Sequence, residues 1–291
     1  GVEVTINTKN IDTRDFKGST DFTFTAYKDR WKERTPDWKP GIYERVDDPI
    51  RPIYARLADH ILQIGEKAPK AQPDLRPGEI VIKDINGYAR DKNNQPIVDE
   101  NGRFVLTGEP DGIIDDADNV LLGSQDPGWL AGITNTLRYK DFDLSIQFNG
   151  MFDRRMQDPT EMAYGLGGGD LARYGYNALR KIKDRWTWDN PSTTQPTSFN
   201  GWNNNYTSGD WYYQKAWFIR LTNISLGWTL PRTLISRTKV LSRVRLSLSA
   251  SNLFCITPYK GLDPETDYYA AAYPNACLLY TSDAADDSLR V

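Results

Sequence analysis

The sequence predicts an all-β fold, and within that class part of a large antiparallel β-barrel that crosses a membrane. Three observations predict it. Six stretches alternate apolar and polar residues with the period of two that marks a strand with one apolar and one wet face. The connections between these stretches alternate between short turns and long loops, as in outer-membrane barrels. No run approaches the roughly 20 apolar residues of a membrane helix, which excludes a helical membrane protein.

The predicted strands cover residues 2–8, 18–27, 129–139, 142–152, 217–230 and 243–257. Strand four has the cleanest alternation, and only Lys140 and Asp141 separate it from strand three, which predicts a hairpin. In strand five the alternation slips near Thr222 and Asn223, which predicts a bulge.

Strand six indicates what each face meets. Its apolar face carries Val244, Leu246, Leu248 and Ala250, and its other face carries Arg245, Ser247, Ser249 and Ser251. A face made only of arginine and serine suits a water-filled interior better than a packed core. Aromatic residues near the strand ends fit the interfacial girdles of a barrel. The alternative, left open by the pattern, is core packing in a soluble β-protein.

The two long connections, residues 28–127 and 153–214, are predicted to be mainly irregular. A short helix is predicted near residues 50–64, and it contains His60, for which a structural role is expected. Six strands cannot close a barrel, and backbone groups in lipid must all be paired. We therefore expect the chain to be a piece of a longer protein, with further strands before and after it.

Composition excludes several function classes. The 291 residues carry a net charge of −3, so nothing points to nucleic acid. One histidine and two cysteines, Cys255 and Cys277, leave no zinc constellation, histidine-based triad or disulfide framework. The neighbouring carboxylates Asp115 and Asp116 are typical of an acidic turn rather than of a glycosidase acid–base pair. We expect no enzyme activity.

Four stretches together resemble the C-terminal part of SusC/RagA-type TonB-dependent outer-membrane transporters. The first is PGEIVIKDING, followed after an insertion by DGIIDDADNVLLGSQDPGW at residues 111–129. The second is YKDFDLSIQFNGMF at 139–152, and the third is DRWTWDNPST at 184–193. The fourth combines FIRLTNISLGWTLP at 218–231 with VRLSLSASNLFCITPYKGLDPE at 244–265. The likeness covers nearly all of residues 1–276.

The resemblance implies a barrel of about 22 strands, of which about six are present here, with long extracellular loops. It implies TonB-energised uptake of oligosaccharides or peptides in the outer membrane of a Gram-negative, Bacteroidetes-type cell. It also implies two protein partners, a SusD-like surface lipoprotein and TonB, which acts through an N-terminal region absent here. The alternative function is a soluble or surface-displayed glycan-binding β-domain without transport.

An acidic loop is a candidate calcium site. The family often shows an acidic D-x-N-G-D-G-x-I-D-x-x-D motif, and oxygen ligands at alternating positions with a glycine at the sharp turn suit Ca²⁺. About two dozen inserted residues split the motif here, and there is no glutamate at the twelfth position. Apart from this possible Ca²⁺, we expect no required cofactor. The candidate ligands are Asp84, Asn86, Asp111, Asp115 and Asp118.

A cluster of loop aromatics is a candidate contact for cargo or for a protein partner. Flat aromatic faces beside amide groups suit sugar stacking, and Trp and Tyr are also enriched in protein interfaces. The alternative is that these residues pack the loop itself. The candidates are Trp186, Trp188, Trp202, Trp211, Tyr212 and Tyr213.

The end of the chain carries a further expectation. The run CLLYTSDAADD, which begins at Cys277, resembles the translation of a transposase sequencing adapter. We therefore expect residues 1–276 to be barrel sequence and residues 277–291 to be an artefact tail without biological function.

Overall fold

The structure is a computed structural model. It describes residues 1–33, 35–37, 44, 48–100, 104–158, 161, 165, 175, 177–197, 209–235, 241 and 243–266. The predicted artefact tail therefore lies outside the described residues. The chain divides into two compact units, a sheet unit (residues 1–28, 126–154 and 215–259) and a loop unit (residues 29–125, 155–214 and 260–291). None of the helices in the described ranges is long and apolar enough to span a membrane.

The sheet unit is one six-stranded antiparallel sheet. Strands neighbour each other in the order β1-β2-β7-β8-β11-β12. Their bounds are β1 Val2–Asp12, β2 Phe16–Ala26, β7 Trp129–Tyr139, β8 Phe142–Phe152, β11 Phe218–Thr229 and β12 Arg245–Ile256. Because neighbouring strands run in opposite directions, the connections after β2, β8 and β12 leave one end of the sheet. The connections after β1, β7 and β11 leave the other, which we call the short-turn end.

The pairing register aligns apolar residues into continuous rows across all six strands. One such row runs through Ile6, Phe22, Ile133, Phe148, Leu221 and Phe254. The residues between them point to the opposite face and are mostly polar, as in the row Asn7, Asp21, Thr134, Gln147, Asn223 and Ser251. We call these the apolar face and the polar face of the sheet.

Aromatic rings border the apolar face at both ends. At the short-turn end, Phe16 lies 6.3 Å from Tyr139, and Phe142 stacks on Trp228 at 5.7 Å between ring centroids. At the other end, Phe24, Trp129, Phe152 and Trp217 form a row in which Trp129 and Phe152 stack at 3.7 Å. The apolar face is thus mainly a band of aliphatic and phenyl side chains between two aromatic borders. A polar group of Thr8, Thr20 and Asn135, in which Thr20 Oγ1 donates to Asn135 Oδ1, interrupts the band on β1, β2 and β7.

The loop unit contains three two-stranded sheets rather than only irregular chain. β3 (Pro52–Arg56) pairs with β6 (Asn119–Ser124), and β4 (Ala58–Ile61) pairs with β5 (Ile80–Ile82). β9 (Arg155–Gln157) pairs with β10 (Tyr213–Lys215). Short 3-10 helices cover Asp116–Asp118, Arg180–Asp184 and Asp210–Tyr212, and a single α-helical turn covers Arg232–Ile235 in the sheet unit. A buried cluster of Ile80, Ile82 and Tyr212 forms part of the loop unit's own core.

The insertion that splits the acidic motif folds into a compact knob. Three extended segments, eight residues apart, close a triangle of backbone hydrogen bonds. Ala89 N donates to Val105 O (2.8 Å), Val105 N to Ile97 O (2.9 Å), and Ile97 N to Ala89 O (2.8 Å). The two ends of the insertion lie side by side, because Thr107 N donates to Gly87 O (2.9 Å). The two halves of the acidic motif therefore meet despite the insertion.

Most strand predictions are confirmed and one helix prediction is wrong. β7 and β8 have the predicted bounds, and the register of β11 shifts between Leu221 and Asn223, where the bulge is predicted. β1 extends to Asp12, four residues beyond the predicted end. The predicted helix at residues 50–64 is instead β3 and β4. Proline and the β-branched Ile53 favour an extended chain there, and pairing with β6 and β5 supplies its hydrogen bonds.

Candidate functional site

The polar face of the sheet carries an ion pair above a glycine. Arg245 Nη2 lies 2.5 Å from Asp143 Oδ2. A Cβ at Gly227 would lie 2.4 Å from Arg245 Nη2 and 2.6 Å from Asp143 Oδ1, so the pair occupies space that only a glycine leaves open. Serine and threonine hydroxyls fill most of the neighbouring positions. This face therefore carries mainly polar side chains.

Trp186 and Trp188 differ sharply in environment. Trp186 is only 3% exposed, and its indole Nε1 donates to Gln63 Oε1 (3.4 Å). Gly78 packs directly beneath it, because a Cβ there would lie 2.5 Å from the indole ring. Trp188 is 66% exposed and packs edge-on against Trp186, with 5.4 Å between ring centroids. Trp186 therefore packs the loop, whereas Trp188 is presented to solvent.

A tight turn presents Trp188. Thr187 N donates to Asn190 O (3.0 Å), and Asn190 N donates to Thr187 O (3.1 Å). Trp186 N donates to Gln195 O (2.9 Å), which ties the turn to the following segment. We call residues 187–190 the Trp188 turn. An exposed indole held on such a turn can stack against a sugar ring or an apolar side chain of a partner.

The second aromatic group belongs mainly to the loop core. Tyr212 is buried against Ile80 and Ile82, and its burial raises the pKa of its hydroxyl group. Trp211 is half-buried against the same cluster, and Tyr213 is half-buried in β10. Trp202 lies outside the described residues. Of the aromatic candidates that the structure describes, Trp188 is the one that is mainly exposed.

The acidic candidates act as acceptors for backbone amides of their own loop. Asp118, whose side chain is fully buried, is the most connected. It accepts hydrogen bonds from Ile85 N (2.9 Å), Asn86 N (3.2 Å) and Asp115 N (3.0 Å). The other candidates accept in the same way: Asp84 from Asp111 N and Gly112 N, Asn86 from Gly108 N, Asp111 from Ile113 N, and Asp115 from Ala117 N.

These hydrogen bonds stabilise the turn, and the clustered carboxylates make the electrostatic potential around it negative. Burial, together with the charges of Asp115, Asp116, Asp111 and Asp118, raises the pKa of Tyr88 to about 12. Among the residues that the structure describes, no group of three His, Cys, Asp or Glu side chains is arranged to hold a metal ion. The carboxylates already stabilise the loop through amide donors, and calcium binding here stays a prediction from the sequence.

A charged cluster around His60 is not among the sequence predictions. The ring lies between two carboxylates, with Nδ1 2.9 Å from Asp59 Oδ2 and Nε2 2.7 Å from Glu66 Oε1. Lys83 Nζ lies 3.4 Å from Asp59 Oδ1, on the far side of that carboxylate. Only the six-residue spacing of His60 and Glu66 across a turn could have suggested the contact.

No family model matches the chain. Among curated proteins, it is 27% identical over 280 residues to "TonB-dependent receptor P3" of Formosa agariphila, covering 92% of this chain and 25% of that protein. It is 25% identical over 287 residues to "TonB-dependent receptor SusC" of Bacteroides thetaiotaomicron, covering 95% of this chain and 25% of that protein. The chain therefore spans about a quarter of the length of these relatives.

Solved structures give the same result for the fold. The structure of the RagAB peptide transporter matches with a TM-score of 0.64 at 19% identity, covering 90% of this chain and 26% of that chain. The RagAB peptide importer in its 'closed-closed' state matches with a TM-score of 0.62 at 20% identity, covering 91% and 27%. The fold is thus that of part of a RagA/SusC-type β-barrel. The resemblance predicted from the motifs is confirmed, and over about nine-tenths of its length the chain is similar to the SusC/RagA-type TonB-dependent receptors.

Proposed function

We propose that the chain is part of a TonB-dependent outer-membrane importer, in which the six-stranded sheet forms a section of the barrel wall. The apolar face contacts lipid and the polar face lines the hydrated interior. The named relatives are receptors and transporters rather than enzymes, which supports a role in import without catalysis. In this proposal residues 1–276 are barrel sequence and residues 277–291 have no function.

The observation that carries the proposal is the apolar band. Trp129 and Tyr139 belong to the two aromatic borders and lie ten residues apart on β7. Ten rises of about 3.3 Å span about 33 Å along the strand. A strand tilt of about 40° reduces this to about 25 Å, the height of the apolar band on outer-membrane barrels.

Exposure on this face supports contact with lipid rather than with a packed core. On strands that have a neighbour on each side, Leu226 is 46% exposed and Phe142 is 45% exposed, and both point away from the polar face. A contiguous apolar patch that covers most of one face of a sheet is rare on soluble monomers. In a membrane the same apolar surface faces the apolar lipid chains.

For cargo we propose an oligosaccharide or a peptide, delivered with a SusD-like surface lipoprotein and energised through TonB. The curated relative named SusC and the solved RagAB peptide transporter support these two cargo classes. The exposed indole of Trp188 is the side chain we propose to contact cargo or lipoprotein, because it is displayed on an ordered turn. The buried Trp186 and Tyr212 would act only by supporting the loop.

A matched pair of substitutions tests the proposal in the full-length protein. Ile6 and Asn7 are neighbours on β1, both are exposed, and they point to opposite faces of the sheet. Ile6→Arg places a charge near the middle of the apolar band, where a charge costs about 2–4 kcal/mol on a lipid-facing position. Asn7→Arg places the same charge on the polar face. The measurement is the amount of heat-modifiable, SDS-resistant protein in the outer-membrane fraction.

The expected result is strong loss of assembled protein for Ile6→Arg and near-normal assembly for Asn7→Arg. On a soluble β-domain, both changes would be exposed surface substitutions within about 0.5 kcal/mol of neutral. Equal tolerance of the two variants, with protein that stays in solution without detergent, would overturn the importer and favour a soluble glycan-binding domain.

A further inference from the structure

His60 closes a clasp in the loop unit, which we define as Asp59, His60 and Glu66. Both ring nitrogens face a carboxylate oxygen at hydrogen-bond distance, at 2.9 Å and 2.7 Å. The second oxygen of Glu66 accepts from Gln63 N (2.9 Å), and Glu66 N donates to Gln63 O (3.2 Å). The clasp therefore fixes the turn at residues 61–66 at the end of β4.

The geometry favours a charged imidazole. A neutral histidine carries one N–H, so one of its nitrogens would present a lone pair to a carboxylate. An imidazolium donates to both carboxylates at once. The charged groups that face the ring are Asp59 and Glu66, and Lys83 pairs with the far oxygen of Asp59.

The direction of the pKa shift agrees with this geometry. Partial burial acts to lower the pKa of His60, but hydrogen bonds to Asp59 and Glu66 and their charges outweigh it, so the pKa is raised above the ordinary 6.5. The hydrogen bond from His60 lowers the pKa of Asp59, and the backbone hydrogen bond from Gln63 lowers that of Glu66. All three groups are partly exposed, so solvent screens the attraction and the effect is modest.

The clasped turn leads directly to the candidate contact surface. Gln63 lies inside the turn, and its side chain joins two separate segments. Its Oε1 accepts from Trp186 Nε1 (3.4 Å), and its Nε2 donates to Ser192 O (3.2 Å). Trp186 in turn supports the exposed Trp188. A continuous line of contacts therefore runs from His60 through Glu66 and Gln63 to the Trp188 turn.

We propose that His60 is a pH-sensitive positioning residue that orders the Trp188 turn when protonated and loosens it when neutral. The proposal rests on the proposed role of Trp188 as a cargo or partner contact. Since the folded pKa is raised, the clasp is fully formed below the ordinary histidine pKa. It is lost as the pH rises through the raised value. The surface would thus be most ordered in mildly acidic surroundings.

Hydrogen–deuterium exchange of the full-length protein in detergent tests the clasp at about pH 5.5 and about pH 8.5. Peptides covering residues 61–67 and 186–191 report on the clasped turn and the Trp188 turn, with rates corrected for intrinsic exchange. His60→Gln is neutral at both values and His60→Arg is charged at both. We expect wild-type protection in both peptides to fall about two- to fivefold at the higher pH, as for loss of one exposed ion pair. His60→Gln should be weakly protected and His60→Arg well protected at both values.

Wild-type protection that does not change with pH, or that changes equally in His60→Gln, would overturn the clasp. A change confined to residues 61–67 would overturn its coupling to the Trp188 turn. Trp188→Ala is assayed separately for cargo uptake. If that variant transports normally, the proposed role of Trp188 fails, while the exchange data still decide whether His60 orders the turn.

Discussion

The two units of the chain place their apolar residues in opposite ways. In the loop unit, Ile80 is fully buried and Tyr212 is 3% exposed, as in the core of a soluble domain. In the sheet unit, Leu226 is 46% exposed, and it stands in register with Leu248, Leu144 and Leu137 on three other strands. The chain is therefore built for two different surroundings, water around the loops and, in the proposed importer, lipid around the sheet.

Exposure of an apolar side chain to its surroundings therefore has a different effect on stability in each unit. A buried isoleucine in the loop unit gains stability from being removed from water and packed. In the proposed importer, a side chain on the apolar face of the sheet gains stability from the bilayer, without close packing against protein.

Truncation of one apolar side chain in each unit should give the largest difference. Ile80→Ala removes a fully buried side chain, and we expect it to destabilise the loop unit by about 2–5 kcal/mol. Leu226→Ala truncates a side chain that is 46% exposed although its strand has a neighbour on each side, so unfolding of the assembled barrel should change far less. Thermal unfolding of the full-length protein, with limited proteolysis to report on the loops, measures both. Equal effects would show that the apolar face of β11 is packed against protein.

Substitution of two glycines in the loop unit distinguishes the stability cost of overpacking from that of backbone strain. Gly65 and Gly78 both have positive φ values, of 80° and 93°, so alanine costs about 1–2 kcal/mol at either position. A Cβ at Gly65 would meet open space, whereas one at Gly78 would collide with Trp186. We expect Gly78→Ala to cost about 1–3 kcal/mol more than Gly65→Ala because of this overpacking. Similar losses in protease resistance would mean that Trp186 is not held by Gly78.

The acidic loop should depend on Asp118 more than on Asp116. Asp118→Asn removes one acceptor from a buried carboxylate that binds three amides, at an expected cost of about 1–2 kcal/mol. Asp116→Asn only weakens an exposed pair with Arg56 and should cost less than about 0.5 kcal/mol. Amide exchange across residues 84–118 measures both, with and without a calcium chelator. A chelator effect that Asp118→Asn abolishes would establish the predicted calcium site.

The sheet could be predicted from the sequence because each strand alternates apolar and polar residues, and this alternation marks its two faces. Residues 142–149 alternate without interruption, and the sequence predicts β8 at its observed bounds. The slip at Thr222 also marked the bulge in β11, since an extra residue reverses which face follows. The short buried run Ile80-Val81-Ile82 is the kind of signal that could have predicted β5, but a run of three residues is too short to distinguish from a loop.

The candidate site could be predicted only in its residue types. Trp186 and Trp188 are two positions apart and identical as residues, yet one is buried and the other exposed. What separates them is Gly78 and Gln63, more than one hundred residues earlier in the chain. The His60 clasp likewise depends on a turn that follows a strand where a helix was predicted. Such contacts come from the fold of the loop unit and leave no periodic pattern in the sequence.

A spin-label scan of residues 246–251, in the full-length protein in lipid vesicles, tests most directly whether one face of the sheet meets lipid and the other meets water. Cys255 is first replaced by serine, and each position is then changed to cysteine in turn and labelled. Accessibility to oxygen, which concentrates in lipid, is compared with accessibility to a water-soluble nickel complex. The account predicts alternation, with oxygen favoured at Leu246, Leu248 and Ala250 and nickel at Ser247, Ser249 and Ser251. Uniform access to nickel along the strand would contradict it.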